Sequence, residues 1–94
     1  MKYSTVPLPS DSAHQLAEHL SGLRKSKKWT QAELARRSGV SPGSLKRFEQ
    51  QGKISLENLL TLAHVLDRLG DFAGVFAYDA DRAAAERRFA ELVD

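Results

Sequence analysis

The sequence of 94 residues contains no cysteine, which excludes both a disulfide framework and a thiolate metal site. It has no run of about 18 consecutive apolar residues, the length that a membrane-spanning helix requires. Residues 1–9 hold one lysine and no apolar run, so they do not resemble a secretory signal, and we expect a cytoplasmic protein.

Catalytic and metal-binding patterns are also missing. There is no Gly-x-Ser-x-Gly elbow and no glycine-rich phosphate loop, so we expect no enzyme. His14 and His19 are five positions apart and would not share a helix face as an i, i+4 pair does. Together with His64 they complete no metal site, and we expect no metal, no cofactor and no small-molecule ligand.

The charged residues that are present are unevenly distributed. Residues 23–53 contain nine lysines and arginines against two acidic residues, a net charge of +7, whereas the rest of the chain carries −5. A basic block of this kind is typical of a module that meets a polyanion on one face. A solvated, lysine-rich surface would give the same distribution, so charge alone leaves both interpretations open.

Signals at the beginning of the chain predict an extended arm followed by a helix. Pro7 and Pro9 are unfavourable inside a helix and favour an extended arm over residues 1–11. The Ser12–Gln15 pattern then predicts a first helix from about residue 13 to residue 27. Its apolar positions at helical spacing are Leu16, Leu20 and Leu23.

Two short helices joined by a tight turn follow. Thr30 and Glu33 form a capping-box pattern, in which the hydroxyl and the carboxylate each accept from a backbone N–H. Gly39 predicts the end of this second helix, since glycine adopts the left-handed conformation readily. A Ser-Pro pair predicts a third helix over 42–50, which Gly52 ends.

The rest of the chain continues the helical pattern. Ser55 predicts the cap of a fourth helix, which Gly70 interrupts, and residues 79–92 have the pattern of a last helix. The apolar stripe of the fourth helix comprises Leu56, Leu59, Leu60, Ala63 and Leu66. We therefore expect an all-α bundle of five or six short helices.

The two helices joined through Gly39-Val40-Ser41 form a helix-turn-helix arrangement, whose second helix has the right size for the DNA major groove. Residues 23–52 resemble the XRE or Cro/phage-repressor family, and the similarity extends over about residues 13–67. The shared elements are Leu23-Arg24, Thr30-Gln31, Glu33-Leu34-Ala35, Gly39-Val40-Ser41, Leu45 and Phe48-Glu49. The resemblance implies a five-helix, lambda-repressor-like fold that binds operator DNA as a homodimer and regulates transcription.

On this basis we expect three parts. They are an N-terminal arm (1–11), a helix-turn-helix DNA-binding domain (12–69) and a C-terminal tail for dimerisation or partner binding (70–94). Such a division leaves no room for a ligand-sensing domain.

The resemblance also implies which residues lie at or near the DNA bases. These positions correspond to Ser41, Pro42, Gly43, Ser44, Lys46 and Arg47. Pro42 and Gly43 stand where longer polar side chains often read base edges, and neither can make a bidentate contact. We expect readout mainly from Arg47, Lys46 and Ser44, and G·C positions in each half-site, because arginine and lysine pair with the guanine edge.

Phosphate contacts are expected around these positions. The candidates are Lys27, Lys28, Thr30, Gln31, Arg37, Gln50 and Lys53. The resemblance pairs Arg24 with Glu49 in an internal ion pair between the first and third helices. Trp29 is expected to pack on the core, and one of Arg36 and Arg37 to face phosphate while the other faces water.

A narrower resemblance concerns the biological role. Phe48-Glu49-Gln50, followed by residues 52–56 and a leucine-rich helix, is most similar to HipB-type antitoxins, which partner kinase-fold toxins of the HipA type. It implies the antitoxin of a type II toxin–antitoxin operon that represses its own promoter. A stand-alone phage-type repressor and a protein-interaction module with little DNA affinity are the alternatives; Lys46 and Arg47 favour DNA binding.

The tail carries more apolar residues than a domain of this size needs at its edge. They are Phe72, Val75, Phe76 and Tyr78, which either close the core or form the dimer or partner interface. Tyr3, Val6 and Leu8 in the arm are candidates for a swapped strand. The last helix, with Arg82–Glu86 and Arg87–Glu91 pairs, is a candidate toxin contact.

Overall fold

The computed structural model describes residues 8–78, 86–88 and 90–92. Four α-helices span Pro9–Ser26 (α1), Gln31–Ser38 (α2), Pro42–Gln51 (α3) and Leu56–Val65 (α4), and a 3₁₀ turn spans Leu69–Phe72. Residues 86–88 and 90–92 are also helical. The described ranges contain no β-strand, and the predicted all-α, lambda-repressor-like fold class is confirmed.

Each of the four helices α1 to α4 contributes to one hydrophobic core. Its members are Ala17, Leu20, Leu34, Val40, Leu45, Phe48, Leu62 and Leu66. The helix pairs α1–α3, α2–α3 and α2–α4 pack together, and α1 and α4 both contribute to the shared core. Fully burying one large apolar side chain stabilises a fold by about 1.5–3 kcal/mol, and this core is what orients the two central helices. Within the described residues, no helix has the length and apolar character needed to cross a membrane.

The predicted start of the first helix was wrong. α1 begins at Pro9, four residues before the expected position, and the backbone N–H of Leu8 donates to the Asp11 carboxylate at 3.0 Å. Proline suits the first helical position, because its missing N–H would have no partner there. Residues 9–11 of the expected arm are therefore helical. Residues 1–7, including the candidate strand residues Tyr3 and Val6, lie outside the described part of the chain.

The two glycines expected to end α2 and α3 do so. Gly39 and Gly52 have φ angles of 77° and 71°, in the left-handed region. Gly52 is also close to α1, since a Cβ atom placed on it would lie 3.1 Å from the backbone carbon of Ala13. Glycine at this position therefore permits both the turn and the approach of α3 to α1.

α4 departs from its predicted pattern at both ends. Leu56 is 68% exposed, whereas Leu62, outside the expected stripe, is fully buried. The helix ends at Val65, before the expected break at Gly70, which lies in the 3₁₀ turn. Asp67 takes the left-handed conformation, with φ of 61°. The following N–H, of Arg68, donates to the carbonyl of Ala63 at 2.7 Å, as in a Schellman motif.

Candidate nucleic-acid interface

The turn between α2 and α3 holds the two helices in a fixed relation. Gly39 ends α2, and the buried Val40 anchors the turn to the core, its N–H donating to the Ser38 hydroxyl at 3.1 Å. Ser41 then caps α3, because its hydroxyl accepts from the N–H of Ser44 at 3.1 Å. The turn thus combines a left-handed residue, a buried anchor and a helix cap.

α3 has one buried face and one exposed face. Leu45 and Phe48 are almost completely buried and fix the helix to the core. Lys46 and Arg47 are exposed, and neither forms a hydrogen bond or ion pair with another residue that the structure describes. Because an α-helix fits the DNA major groove, these two free cations are available to base edges or phosphates.

The other four expected base-contacting residues offer less. Pro42 and Gly43 are exposed but carry no hydrogen-bonding side chain. The Ser41 hydroxyl donates to that of Ser44 at 2.8 Å, so these two side chains bind each other. Of the six expected base-contacting residues, only Lys46 and Arg47 have long polar side chains.

A buried ion pair connects α1 to α3. Arg24 Nε donates to Glu49 Oε2 at 2.9 Å and Arg24 Nη2 to Glu49 Oε1 at 3.0 Å, with side-chain exposures of 10% and 8%. Arg24 Nη1 also donates to the carbonyl of Trp29 at 2.8 Å. Burial raises the pKa of Glu49, but hydrogen bonds, first from Arg24 and then from Gln31, outweigh burial and hold the pKa below its ordinary value. The pair expected from the family resemblance is present, and it sets the position of α3 relative to α1.

The start of α2 lies beside several exposed cations. The Thr30 hydroxyl accepts from the N–H of Glu33 at 3.1 Å, as the predicted cap requires. Gln31 is half-buried and lies near enough to Glu49 to help lower the pKa of that carboxylate, a neighbour that the sequence did not indicate. The other expected phosphate residues outside α2 are all exposed; they are Lys27, Lys28, Gln50 and Lys53.

The prediction that the Glu33 carboxylate accepts from a backbone N–H was wrong. The Glu33 carboxylate accepts from Arg36 Nη2 at 2.7 Å and from Arg37 Nε at 3.0 Å. Guanidinium groups three and four residues further along a helix are well placed for a carboxylate, and a hydrogen bond between two opposite charges is stronger than one from a neutral backbone N–H. The hydrogen bond from Arg36 is the main cause that lowers the pKa of Glu33 to about 2, and the same bond raises the pKa of Arg36.

Trp29 lies next to two of the expected phosphate residues. The guanidinium carbon of Arg37 is 4.2 Å from the centre of the Trp29 ring, and Lys27 Nζ is 5.4 Å from it. Both distances suit cation–π contacts. The indole is half-buried and packs against the core, as expected. Arg37 is therefore held between a ring and the Glu33 carboxylate, and its neighbour Arg36 also binds Glu33. Which of the two faces phosphate stays a prediction.

A polar concavity of about 410 Å³ adjoins the exposed face of α3. Its lining residues are Ser44, Arg47, Lys53, Ile54, Ser55 and Asn58. Ser55 and Asn58 were not expected at the interface; the Ser55 hydroxyl accepts from the N–H of Asn58 at 3.1 Å and caps α4. The available signal was a capped helix start two residues after Lys53, because helix N-termini attract phosphate groups.

The apolar residues of the tail do not close the core as a group. Phe72 is half-buried, but Val75, Phe76 and Tyr78 are 54%, 101% and 76% exposed. The alternative in which all four complete the core is therefore wrong for three of them. Arg82, in the candidate toxin-contacting helix, lies outside the described residues.

Metal ligands are not clustered in the part of the chain that the structure describes. No group of three or more histidines, cysteines, aspartates or glutamates there is placed to hold a metal ion. The Nδ1 atom of His14 instead lies 2.8 Å from the carbonyl oxygen of Ser10. The candidate site is instead the basic surface around α2 and α3. Its cations are Lys27, Lys28, Arg37, Lys46, Arg47 and Lys53.

Comparison with known families agrees with this geometry. The family model described as helix-turn-helix matches residues 20–70, which is more than half of the chain. The match includes α2, α3, α4 and the cations of the basic surface. No curated protein and no solved structure is matched.

Proposed function

The chain belongs to the XRE-type helix-turn-helix family of DNA-binding transcription regulators, and from this premise we propose that it is a dimeric, sequence-specific repressor of its own promoter. The observation that carries the proposal is the exposure of Lys46 and Arg47 on α3 while Leu45 and Phe48 fix the opposite face of that helix. Cations that have no partner among the described residues are free to bind DNA.

In the proposed complex, α3 lies in the major groove. Arg47, and Lys46 beside it, would donate to guanine O6 and N7, with a discrimination of about 1–3 kcal/mol for each good contact. Pro42 and Gly43 add no polar contact, so sequence-dependent DNA shape would contribute at the adjacent base pairs. Two copies related by a two-fold axis would read half-sites about 34–36 Å apart.

Phosphate contacts would orient this helix. The capped start of α2, with Lys27 and Lys28 before it, meets the backbone on one side of the groove. Lys53 and the capped start of α4 meet it on the other side, at the polar concavity beside Arg47. These contacts would supply affinity for any DNA sequence, whereas α3 would supply the preference for one.

A binding titration tests the proposal. The DNA upstream of the gene and a scrambled duplex are titrated by fluorescence anisotropy at two salt concentrations. We expect tight, salt-sensitive binding that prefers the native sequence. Equal, weak binding to both duplexes would refute specific repression and favour the protein-interaction module.

Two variants separate base readout from phosphate binding. Arg47→Ala should weaken binding to the native site by roughly ten- to a hundredfold, relax one operator position, and change binding to scrambled DNA much less. Lys28→Ala, the matched control, should weaken binding to both duplexes alike and reduce the salt slope by about one. Equal loss on both duplexes for Arg47→Ala would contradict its assignment to base readout.

The antitoxin role is a second candidate, within the same DNA-binding function. It rests on the similarity of residues 48–56 to HipB-type antitoxins and is supported by Leu92, an apolar residue that is 84% exposed in the last helix, the candidate toxin contact. Its test is co-expression with a kinase-fold protein encoded beside this gene, followed by size-exclusion chromatography. A stable complex supports an antitoxin, whereas two separate peaks favour a stand-alone repressor.

A further inference from the structure

An apolar groove lies between α1 on one side and α4 with the chain that follows it on the other. Its volume is about 590 Å³. Apolar side chains that line it include Leu16, Leu23, Leu59, Leu66, Phe72 and Val75. None of the lining residues comes from 27–58, the part of the chain that holds α2, α3 and most of the basic surface. An occupant of the groove would therefore leave the DNA-binding surface free.

The walls of the groove are incompletely covered. Leu16 is 42% exposed and Val75 is 54% exposed. Contact of these side chains with water is unfavourable, and burying them against a second apolar surface would recover that free energy. The groove also has room for an aromatic ring, since a cavity of about 150 Å³ is enough for benzene.

Phe76, the residue after Val75, is suited to insertion into such a groove. Phe76 is completely exposed (101%) and has a φ angle of 59°. The left-handed conformation is unfavourable for a bulky side chain, and here it directs the ring away from the chain's own core. Tyr78 is also 76% exposed. One face of the described structure thus holds an apolar groove and, beside it, a fully exposed aromatic side chain.

We propose that a second copy of this chain fills the groove, with Phe76 of each copy inserted between Leu16 and Phe72 of the other. The inference rests on the dimeric state within the proposed function and names the surface that forms the dimer. Because Phe76 and the groove adjoin on one face, a two-fold axis beside Val75 would place the Phe76 of each copy in the groove of the other. The result is a single self-complementary interface.

The area that this arrangement buries lies at the lower limit for a specific dimer interface. A buried aromatic side chain contributes about 150–250 Å², so Phe76 and Tyr78 of two copies supply roughly 600–1,000 Å². Leu16 and Val75 of both copies add further apolar area. The sum reaches the range of about 1,000–1,200 Å² at which specific interfaces begin.

The test measures dimer dissociation of the full chain by sedimentation equilibrium, without DNA. Phe76→Ser should raise the dimer Kd by at least about a hundredfold, since two aromatic contacts are lost. Leu16→Gln, on the receiving wall, should raise it by at least about tenfold. The matched control is Leu92→Ser, which changes another exposed apolar residue (84%) that does not line the groove and should leave the Kd unchanged.

Mixing the two interface variants distinguishes exchange between copies from effects within one chain. A heterodimer of Phe76→Ser with Leu16→Gln keeps one intact Phe76-to-groove contact, so the mixture should dimerise more tightly than the Phe76→Ser variant alone. A chain in which Phe76 fills its own groove would gain nothing from mixing. Circular dichroism spectra identical to wild type establish that each variant is folded.

Three results would overturn the inference: a monomeric wild type at micromolar concentration, an unchanged Kd for Phe76→Ser, or dissociation caused by Leu92→Ser instead. The last would assign the interface to the C-terminal helix. The DNA titration is independent of this measurement. A dimer that behaves as expected but shows no operator preference would refute only the DNA-binding proposal, whereas operator binding by a protein whose dimer is insensitive to Phe76→Ser would refute only this interface.

Discussion

The Glu49→Gln substitution is expected to destabilise the protein strongly. Glu49 accepts two hydrogen bonds from Arg24, and both side chains are at most 10% exposed. Glutamine keeps the shape of glutamate but removes the negative charge, and its amide has one acceptor oxygen for two guanidinium N–H groups. Arg24 would therefore remain as a buried cation without a counter-ion.

The size of the effect follows from the burial of the pair. Removing one partner of a buried ion pair costs about 3–5 kcal/mol. Arg24 keeps its bond to the carbonyl of Trp29 at 2.8 Å, so we expect the lower end, about 3 kcal/mol. For a domain of this size, each kcal/mol changes the midpoint by about 4–8 °C, so the Tm should fall by roughly 12–24 °C.

Thermal and urea unfolding followed by circular dichroism at pH 7 measure this loss. Glu33→Gln is the matched control, because the Glu33 carboxylate also binds two arginines but does so at the surface. Solvent screens that interaction, so the control should lose much less stability. Equal losses for the two variants would refute the reasoning that burial makes the Arg24–Glu49 pair important.

The destabilisation caused by Glu49→Gln should become smaller in acid. The pKa of Glu49 is lower in the folded protein than its ordinary value of 4.5. A carboxylate with a lowered folded-state pKa stabilises the fold above the unfolded-state pKa, and this contribution is lost as pH falls through the folded-state value. The difference in unfolding free energy between wild type and Glu49→Gln should therefore shrink below pH 4.5; a constant difference down to pH 2 would contradict the ionised pair.

Three further predictions concern local features. Gly39→Ala should cost about 1–2 kcal/mol because of its positive φ, and Gly52→Ala should cost more because its Cβ would also meet the backbone of α1 at 3.1 Å; equal losses in urea unfolding would argue against that close approach. The carboxyl group of Glu33 should titrate near pH 2 by NMR, because Arg36 stabilises its charged form, and its contribution to stability should be present above pH 4.5 and fade as pH falls towards 2. A midpoint near 4.5 would show that the bond to Arg36 does not persist in solution. Ser55→Ala should lower stability by about 1 kcal/mol through loss of the α4 cap, and an unchanged Tm would mean that this cap contributes nothing.

Helix ends controlled by local chemistry could be predicted from the sequence. Thr30, Ser41 and Ser55 each accept from the N–H three residues later, and Gly39 and Gly52 take the left-handed conformation after α2 and α3. These interactions join residues at most four positions apart, so they depend little on the rest of the fold. The helix-turn-helix spacing and the basic block are local in the same sense, and they led to the family.

The predictions from the sequence were wrong where one residue has two possible local roles. Pro9 is unfavourable inside a helix but favourable at its first position, and the bond from Leu8 to Asp11 favours the second. The Glu33 carboxylate could bind the backbone or the following arginines, and Arg36 and Arg37 prevailed because charged donors bind more strongly.

The leucine-rich α4 shows the limit of periodicity. Leucines at 56, 59, 60, 62 and 66 allow more than one apolar face, and spacing alone favoured a stripe that includes Leu56. The fully buried Leu62 and the exposed Leu56 result from the way α4 packs on α2. When a helix is apolar on several sides, its sequence does not show which side faces the core.

Local sequence therefore specified the caps at the starts of α2, α3 and α4, the family and the cations of α3. The proximity of distant residues depended on packing: Gln31 lies near Glu49, Ser55 and Asn58 join Arg47 at one concavity, and an apolar groove opens beside an exposed Phe76. Periodicity describes one helix at a time, because it reflects interactions within a few residues. The relative placement of α1, α3 and α4 depends instead on how their side chains fill a shared core, which no single helix contains.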